Sequence, residues 1–340
     1  MKPKFELLDK PLIELILEEA FQLIEDPGVR VAPYVEDLLR GAGITVKEGV
    51  AHIPEVLARR LLDLAPRGFC LYDRGGNRAV LYGGDGVHFD PGSSCLNILD
   101  PATQQPRPAL SSDLVCLVQV AEMLPQFAAQ STAMVCNDIP QEIGDWYRLL
   151  LVLWYSEKPI VTGAFSAASL HTLIDLLAIE AGGRDALRQA PRAVFDVCPS
   201  PPLNWSEFAS QNLVDLARAG VPAEIVSMPL AGATAPVTLV GSVVQHAAEC
   251  ISGITIHQLA QPGASSFGEA RLPSSTCAPA RRPWARSKPP CSMWRALKSE
   301  NISACPPMPI WSPETAASST RRWKWKAACP RCSALSLEST

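Results

Sequence analysis

The chain has 340 residues, of which 47% are hydrophobic and 19% charged, and its formal net charge is −4. This balance is typical of a globular protein and excludes a highly charged disordered chain. No run reaches the eighteen or so unbroken apolar residues of a membrane span. The N-terminus, MKPKFELLDK, lacks the apolar core and cleavage site of a secretory signal. We therefore expect a cytoplasmic protein without a membrane partner.

The charge is unevenly distributed along the chain. Residues 1–270 carry 18 Lys+Arg against 31 Asp+Glu, whereas residues 271–340 carry 12 against 3. The acidic first part disfavours nucleic acid as a partner, because phosphate binding requires positive charge. A split of this size indicates that the last segment differs in kind from the rest.

Residues 1–85 are predicted to form helices and a β-hairpin. Apolar residues recur on one face over residues 8–26, and residues 33–42 and 54–65 show two shorter helical patterns. Residues 69–72 and 79–82 flank the sequence RGGN, which suits a hairpin turn because glycine and asparagine tolerate positive φ. This region is predicted to be an N-terminal extension.

Between residues 86 and 270, short apolar runs alternate with helical patterns. The runs cover residues 87–89, 129–136, 159–164, 193–198, 224–228 and 264–267. The helices between them cover about 111–124, 139–156, 167–181, 205–219 and 236–260. This alternation predicts an α/β fold with a parallel sheet. Because there is no G-x-G-x-x-G after the first of six strands, we predict an incomplete TIM (β/α)8 barrel of six units.

Residues 271–340 lack this periodicity. They contain ten prolines, twelve serines, five of the eight tryptophans and no aspartate. Proline at this density disrupts helices and central strands. A disordered basic tail is one interpretation, although such tails are usually poor in tryptophan and cysteine.

Translation out of frame explains this segment better. When the reading frame is displaced by one base, the codons implied at 275–280, 284–295, 301–306 and 321–333 can spell orderly, helix-patterned strings. For example, residues 301–306 become K-Y-L-G-L-P. Codon degeneracy leaves some freedom in each recovered string, so a single match would mean little. Four matches with the same one-base displacement are hard to attribute to that freedom. We therefore predict that residues 271–340 form an out-of-frame, disordered tail.

Cysteine and histidine show no metal-site pattern. Six cysteines are scattered between residues 70 and 250, which favours buried thiols in a reducing compartment. Cys329 and Cys332 form a CxxC without a second pair. His246 and His257 are separated by about 16 Å along one predicted helix and cannot share a metal ion. We predict no bound metal.

The most distinctive segment is MPLAGATAPVTL at residues 228–239. It has the pattern of a strand end, a proline-initiated loop and a helix start, with Thr234 near the N-cap and Pro236 in the first turn. In one interpretation, the segment only turns the chain from strand to helix. In the other, free amides at the helix N-terminus hold an anionic group at the mouth of a barrel.

This segment resembles the MPLAGATAPVTL segment of the trimethylamine methyltransferase (MttB) family. Shorter pieces support the resemblance in the same order: LYDR at 71–74, LD at 99–100 with RP at 107–108, KPI at 158–160, AFS at 164–166 and SPPL at 200–203. The resemblance covers residues 5–268. The strings recovered from the other frame also look like the family's continuation.

The resemblance implies a TIM barrel that transfers a methyl group from a tertiary or quaternary amine to the Co(I) of a corrinoid. This cobalamin would be carried by a partner protein, and the chain itself would bind no cofactor. The implied partners are the corrinoid protein and a small methylated amine, such as glycine betaine in members without pyrrolysine. The position that corresponds to pyrrolysine lies beyond the in-frame part, so the sequence does not indicate which amine is used. Whether the protein forms a homo-oligomer is also left open.

Candidate substrate-binding residues follow the predicted strands. A quaternary ammonium cannot donate hydrogen bonds and is recognised by aromatic faces and negative potential. Phe165 is thus a candidate wall or a core residue, whereas the polar candidates could bind substrate or cap the next helices. The candidates are Asn137, Asp138, Phe165, Cys198, Ser200, Met228 and Thr234. The catalytic residue is unknown from the sequence.

Three functions fit these observations. The first is a methyltransferase that is inactive because its C-terminal part is out of frame. The second is a non-catalytic protein that binds a quaternary amine or a corrinoid partner. The third is a TIM-barrel lyase or aldolase, disfavoured in its Schiff-base form because no lysine ends a predicted strand.

Overall fold

A computed structural model describes residues 8–84 and 86–270. The helices are α1 (Lys10–Glu25), α2 (Pro33–Gly41), α3 (Glu55–Leu64), α4 (Ser111–Met123), α5 (Gly144–Tyr155), α6 (Ala167–Ala181), α7 (Arg184–Gln189), α8 (Glu207–Ala219) and α9 (Leu239–Ala260). The strands are β1 (Val29–Val31), β2 (Thr45–Lys47), β3 (Val50–His52), β4 (Gly68–Tyr72), β5 (Arg78–Gly83), β6 (Asn97–Leu99), β7 (Pro106–Pro108), β8 (Gln130–Ser131), β9 (Ile160–Thr162), β10 (Ala193–Val197), β11 (Asn204–Trp205), β12 (Ala223–Ser227) and β13 (Ser266–Ala270). The predictions for the tail and its CxxC pair lie outside the described residues.

The eight helices predicted from apolar periodicity are all present. Helix α6 has both predicted ends: the Ser166 hydroxyl accepts the Ser169 N–H at 3.1 Å, and Gly182, at φ 86°, ends the helix. Helix α9 begins at Leu239 rather than at residue 236. The six-residue helix α7 was not predicted, because it is too short to show periodicity.

Five strands form a parallel sheet in the order β13-β12-β10-β9-β8. All four neighbouring pairs are parallel, as the alternation of strands and helices predicted. Neighbours in the sheet follow one another along the chain, without the reversal that marks a doubly wound sheet. Within the described residues β8 and β13 do not pair with each other, so the TIM barrel stays a prediction.

The first predicted strand, residues 87–89, is wrong. The glycines at 83, 84 and 86 and the Pro91-Gly92 pair leave too short a run for a regular strand. The segment nevertheless lies beside β8: the Phe89 carbonyl accepts the Ala128 N–H at 2.9 Å, and the Cys95 N–H donates to the Ala133 carbonyl at 2.8 Å. The described sheet therefore has five strands instead of six.

The two faces of the sheet pack against different parts of the chain. Side chains alternate along each strand, so Phe195 and Val197 of β10 point to one face and Val194 to the other. The first face packs against the helices in the main hydrophobic cluster. The second face, here called the inner face, packs Val194 against Leu71 and Tyr82 of the β4–β5 hairpin.

The predicted β4–β5 hairpin is confirmed, and it covers the amino-terminal edge of the sheet. The Tyr72 N–H donates to the Pro191 carbonyl at 2.9 Å, and the Arg74 N–H donates to the Glu157 carbonyl at 2.8 Å. Pro191 and Glu157 precede β10 and β9. The Tyr82 ring lies 4.8 Å from the Phe267 ring of β13. The hairpin therefore closes the amino-terminal edge of the sheet.

A second sheet, in the order β11-β1-β3-β2, was missed by the sequence analysis. None of its strands exceeds three residues, which is too short for a period of two to be visible. β2 and β3 form a local antiparallel hairpin, whereas β1 is parallel to the distant β11, and the Arg30 N–H donates to the Leu203 carbonyl at 2.9 Å. This pairing joins the N-terminal region to the loop after β10.

Helix α9 forms the centre of the described structure. It packs against α1, α3 and α8 on its sides and against β12 and β13 of the sheet. Among the described residues it is the one helix long and apolar enough to cross a membrane, but 78% of its most apolar window is buried inside the fold. Burial of this extent is typical of a core helix.

Two histidines of α9 make stability sensitive to acid. His246 and His257 are fully buried, and burial lowers the pKa of His246 to about 3 and that of His257 to about 4. An unfolded histidine titrates near 6.5, so below that pH the unfolded chain binds protons that the folded chain does not. Stability is therefore retained above pH 6.5 and lost as the pH falls towards these folded pKa values, by about 2 kcal/mol per histidine at pH 5.

We expect His257→Asn to reduce, by about 2 kcal/mol, the free energy of unfolding that is lost between pH 8 and pH 5. The asparagine amide can replace the ring Nδ1, which donates to the Leu213 carbonyl at 2.8 Å, but it does not titrate. The measurement is the free energy of unfolding in urea at pH 8 and pH 5. An unchanged difference between the two pH values would contradict the assignment.

Candidate functional site

The loops that follow the parallel strands leave the sheet at one edge. Carboxyl ends of parallel strands meet at the same edge, which is where such folds bind ligands. Asn137, Phe165, Ser200 and Met228 follow the neighbouring strands β8, β9, β10 and β12. The topology thus brings four of the predicted site residues to one edge, and their binding roles stay predictions.

Phe165 is exposed rather than part of the core, with 59% of its surface accessible, and its role as a substrate wall stays a prediction. Its N–H donates to Asp145 Oδ2 at 2.7 Å, and the Arg148 guanidinium carbon lies 4.9 Å from its ring centre. Arg148 is buried and bonded to Asp145 Oδ1 at 3.0 Å and to the Thr132 carbonyl at 3.1 Å. One face of the Phe165 ring therefore already contacts a cation of the protein itself.

Asn137 and Asp138 stabilise the chain around α4. The Asn137 N–H donates to the Ala109 carbonyl at 2.8 Å, while its side chain is exposed. Asp138 Oδ1 accepts the Ser111 N–H at 2.8 Å, so it caps the preceding helix α4 rather than the next one. Asn137 thus remains the more available of the two for a ligand.

Cys198 and Ser200 are exposed in the loop after β10. The Ser200 N–H donates to the Asn204 carbonyl at 2.8 Å, which closes the turn that leads into β11. Leu203 within this turn has φ 46°, a left-handed conformation that is rare for a bulky residue. The turn is thus a defined structure at the carboxyl edge.

The loop from Met228 to Thr238 has a compact, internally bonded structure. The N–H groups of Ala233, Thr234 and Ala235 all lie within 3.0 Å of the Leu230 carbonyl oxygen. The Leu230 N–H in turn donates to Thr234 Oγ1 at 3.0 Å. Thr234 therefore stabilises the loop from inside, at the end of β12.

The predicted N-cap role of Thr234 is wrong. Thr238 is the N-cap of α9, and its Oγ1 accepts the Gly241 N–H at 3.2 Å. The N–H groups of Ala233, Thr234 and Ala235 in this loop donate to the Leu230 carbonyl, and the anion-binding interpretation of the segment stays a prediction. The loop between the strand and the helix is longer than the sequence pattern suggested, because Gly232, at φ 79°, allows it to fold back.

Two carboxylates that the sequence analysis missed lie side by side on the inner face. Asp196 of β10 and Glu224 of β12 are register partners on adjacent parallel strands, so their side chains share a face. That face is also the face of Val194, two residues before Asp196. Glu224 is buried and Asp196 partly buried. Each is a single acidic residue in an apolar strand, a signal the sequence analysis could have used.

Glycine at position 163 leaves space beside this acidic pair. A Cβ at Gly163, just after β9, would lie 3.8 Å from the Asp196 Cβ. The inner face thus carries two carboxylates beside the hydrophobic side chains that pack on the hairpin, and Asp196 lies one residue before the carboxyl end of β10. Such an arrangement can attract a small cation.

A third missed carboxylate, Glu249, is buried in α9 behind the loops of this edge. It accepts hydrogen bonds from the Ser227 hydroxyl, from the Leu203 N–H at 3.0 Å and from Gln245 Nε2 at 3.0 Å. Burial raises its pKa. Within the part of the chain that the structure describes, no group of three His, Cys, Asp or Glu could hold a metal ion.

The fold and this edge define an α/β protein with a candidate ligand site at the carboxyl ends of a parallel sheet. The model of the trimethylamine methyltransferase (MTTB) family matches residues 1–270. The chain therefore belongs to the trimethylamine methyltransferase family, as the segment at 228–239 indicated.

Individual relatives agree with this assignment. The chain is 30% identical over 254 residues to the trimethylamine methyltransferase MttB of Methanosarcina barkeri, covering 72% of this chain and 51% of that protein. It is 26% identical over 259 residues to the trimethylamine methyltransferase MttB of Desulfitobacterium hafniense, covering 76% and 50%. It is also 26% identical over 271 residues to the glycine betaine methyltransferase of Desulfitobacterium hafniense, covering 77% and 55%. The chain spans about half the length of these curated relatives.

Proposed function

We propose that this chain derives from a methyltransferase that moves a methyl group from a tertiary or quaternary amine, of the glycine betaine kind, to a Co(I) corrinoid carried by a partner protein. Membership of the family over residues 1–270 is the observation that carries the proposal. The corrinoid would act as the methyl acceptor and supply the nucleophile for the transfer. The chain itself would bind the amine.

The inner face supports the choice of a cationic substrate. Asp196 and Glu224 are adjacent on β10 and β12, and two carboxylates on the inner face favour a cationic ligand. Asp196 lies one residue from the carboxyl edge of the sheet. A methylated ammonium has little or no capacity to donate hydrogen bonds, so charge and aromatic contact must hold it. Phe165 offers an exposed ring at the same edge.

The direction of transfer constrains how the amine is oriented. In-line displacement requires the nucleophile to approach opposite the breaking N–C bond, so the methyl group must face the open carboxyl edge. The ammonium loses its positive charge as the methyl group leaves. Carboxylates that stabilise that charge act more on the bound substrate than on the transition state, so neutralising Asp196 or Glu224 would raise KM without lowering kcat.

The start of α9 offers a surface for the corrinoid partner. Val237, Leu239 and Val240 are exposed at the end of the 228–238 loop, next to the carboxyl edge. Exposed apolar side chains in a row are typical of protein contact sites. A partner bound there would lie near the mouth through which the methyl group leaves.

We expect neutralisation of Asp196 to weaken amine binding. In a chain with the reading frame restored, Asp196→Asn should raise KM about 10- to 100-fold and leave kcat nearly unchanged, because one carboxylate about 5 Å from a cation is worth a few kcal/mol at intermediate dielectric. The matched control is Asp185→Asn on the outer helix α7, which should change neither constant. A fall in kcat at constant KM would instead assign Asp196 to the chemical step.

The proposal is tested by mixing the frame-restored protein with a reduced corrinoid protein and a panel of methylated amines. Conversion of Co(I) to methyl-Co(III), followed by absorbance, is expected with at least one tertiary or quaternary amine. The same acidic pair could serve a non-catalytic amine-binding protein. Saturable binding of an amine with no absorbance change would favour that alternative.

A further inference from the structure

We propose that Glu249 is a positioning residue that holds two loops of the carboxyl edge, 199–206 and 228–238, in a fixed arrangement on α9. The inference rests on the proposed function, because these loops carry the candidate residues Ser200, Met228 and Thr234. The hydrogen bonds that carry it, however, are independent of any activity.

The first loop is held from two sides. On one side, the Leu203 N–H donates to Glu249 Oε1 at 3.0 Å. On the other side, the Leu203 carbonyl accepts the Arg30 N–H of β1 at 2.9 Å. Because Leu203 has φ 46°, its conformation depends on such external contacts. Glu249 thus fixes the turn that presents Ser200.

The second loop is held through Ser227 and Gln245. The hydroxyl of Ser227, the last residue of β12, donates to Glu249 Oε2. Gln245, one helical turn before Glu249, donates through Nε2 both to Glu249 Oε1 at 3.0 Å and to the Thr234 carbonyl at 2.9 Å. The carboxylate is therefore connected to the strand end and, through one amide, to the middle of the 228–238 loop.

The chemistry of these donors requires an acceptor at position 249. A backbone N–H, an amide and a hydroxyl converge on two carboxylate oxygens in a buried site. An apolar side chain there would leave buried donors without partners, at a cost of about 1–3 kcal/mol each. Glutamine keeps one accepting oxygen, and its amide can donate to the Ser227 oxygen. Glutamine at position 249 should therefore keep the two loops in place, whereas leucine should not.

Hydrogen–deuterium exchange of the 340-residue chain, read by mass spectrometry, tests the proposal. Glu249→Leu should speed exchange about tenfold or more in peptides covering 199–206 and 228–238, and leave the strands at 193–197 and 223–226 unchanged. Glu249→Gln should retain exchange within about twofold of the wild type. Gln245→Met should speed exchange only in peptides that cover residues 228–238. It serves as the second variant if Glu249→Leu fails to fold.

Glu122 provides a matched control at the opposite edge. It accepts hydrogen bonds from the Ser156 hydroxyl, from the Glu157 N–H at 3.2 Å and from Gln130 Nε2 at 3.2 Å, just before β9. Glu122→Leu should therefore speed hydrogen–deuterium exchange at residues 156–159 and leave the exchange rates of both carboxyl-edge loops unchanged.

Two outcomes would overturn the proposal: wild-type exchange in both loops of Glu249→Leu, or faster exchange spread evenly over the sheet. In the second case Glu249 would only stabilise the core. The exchange pattern does not depend on methyl transfer. Loop loosening in Glu249→Leu with no transfer by the restored protein would therefore reject the proposed function alone.

Discussion

The 340-residue chain is expected to transfer methyl groups at least about a thousandfold more slowly than the same protein with its reading frame restored. A parallel barrel assembles its site from the carboxyl ends of many strands, so loss of part of the sheet removes part of the site. The five described strands leave β8 and β13 unpaired with each other. The family match also stops at residue 270, where the charge and composition change.

The two proteins should also differ in solubility. In the predicted incomplete barrel, the open edge of the sheet would present unpaired backbone groups, and apolar surface that a complete barrel covers would face water. Transfer by both proteins at similar rates would show that residues 271–340 are dispensable. Sequencing of the coding DNA around codons 266–276 is an independent check, and an unbroken frame in all copies would reject the frame change.

Gly253 in α9 is a position where even a small side chain is expected to destabilise the fold. We expect Gly253→Ala to lower the free energy of unfolding by about 3 kcal/mol. A Cβ at this position would lie 2.6 Å from Trp205 Cζ2 and 3.1 Å from Ile225 Cδ1. The Trp205 ring cannot easily move, because it is fully buried and its Nε1 donates to Ser252 Oγ at 2.9 Å.

Gly41 is the matched control for this substitution. It is the last residue of α2, and a Cβ there would meet nothing within 4 Å. Gly41→Ala should therefore leave stability unchanged or raise it by up to about 1 kcal/mol through helix propensity. Chemical denaturation of both variants measures the difference. Equal stabilities would contradict the close packing of α9 on Trp205.

The elements with strong local signals could be predicted from the sequence. The helices have an apolar stripe of many residues, and the β4–β5 hairpin has a turn that glycine and asparagine favour. The parallel sheet followed from the alternation of strands and helices. In contrast, β1, β2, β3 and β11 are only two or three residues long, too short for a visible period. The parallel pairing of β1 with β11 joins segments far apart in the chain, which no local pattern reveals.

The candidate site was predicted only in part, for a related reason. Residues after the strands could be placed at one edge because parallel topology alone decides that position. The acidic pair Asp196 and Glu224 depends on the register between β10 and β12, and the role of Glu249 depends on how α9 packs behind the loops. The N-cap position was assigned near Thr234 instead of at Thr238. The loop before α9 is closed by its own hydrogen bonds, so the helix begins further along the chain than the sequence pattern indicated.

We expect this family member to carry a methyl group from an amine to cobalt. This expectation is tested most directly by incubating the frame-restored protein and the Co(I) corrinoid protein with an amine whose methyl groups are isotopically labelled. We expect one labelled methyl group to appear on the corrinoid for each amine molecule that loses one. Full recovery of the labelled amine, despite saturable binding to the protein, would contradict it.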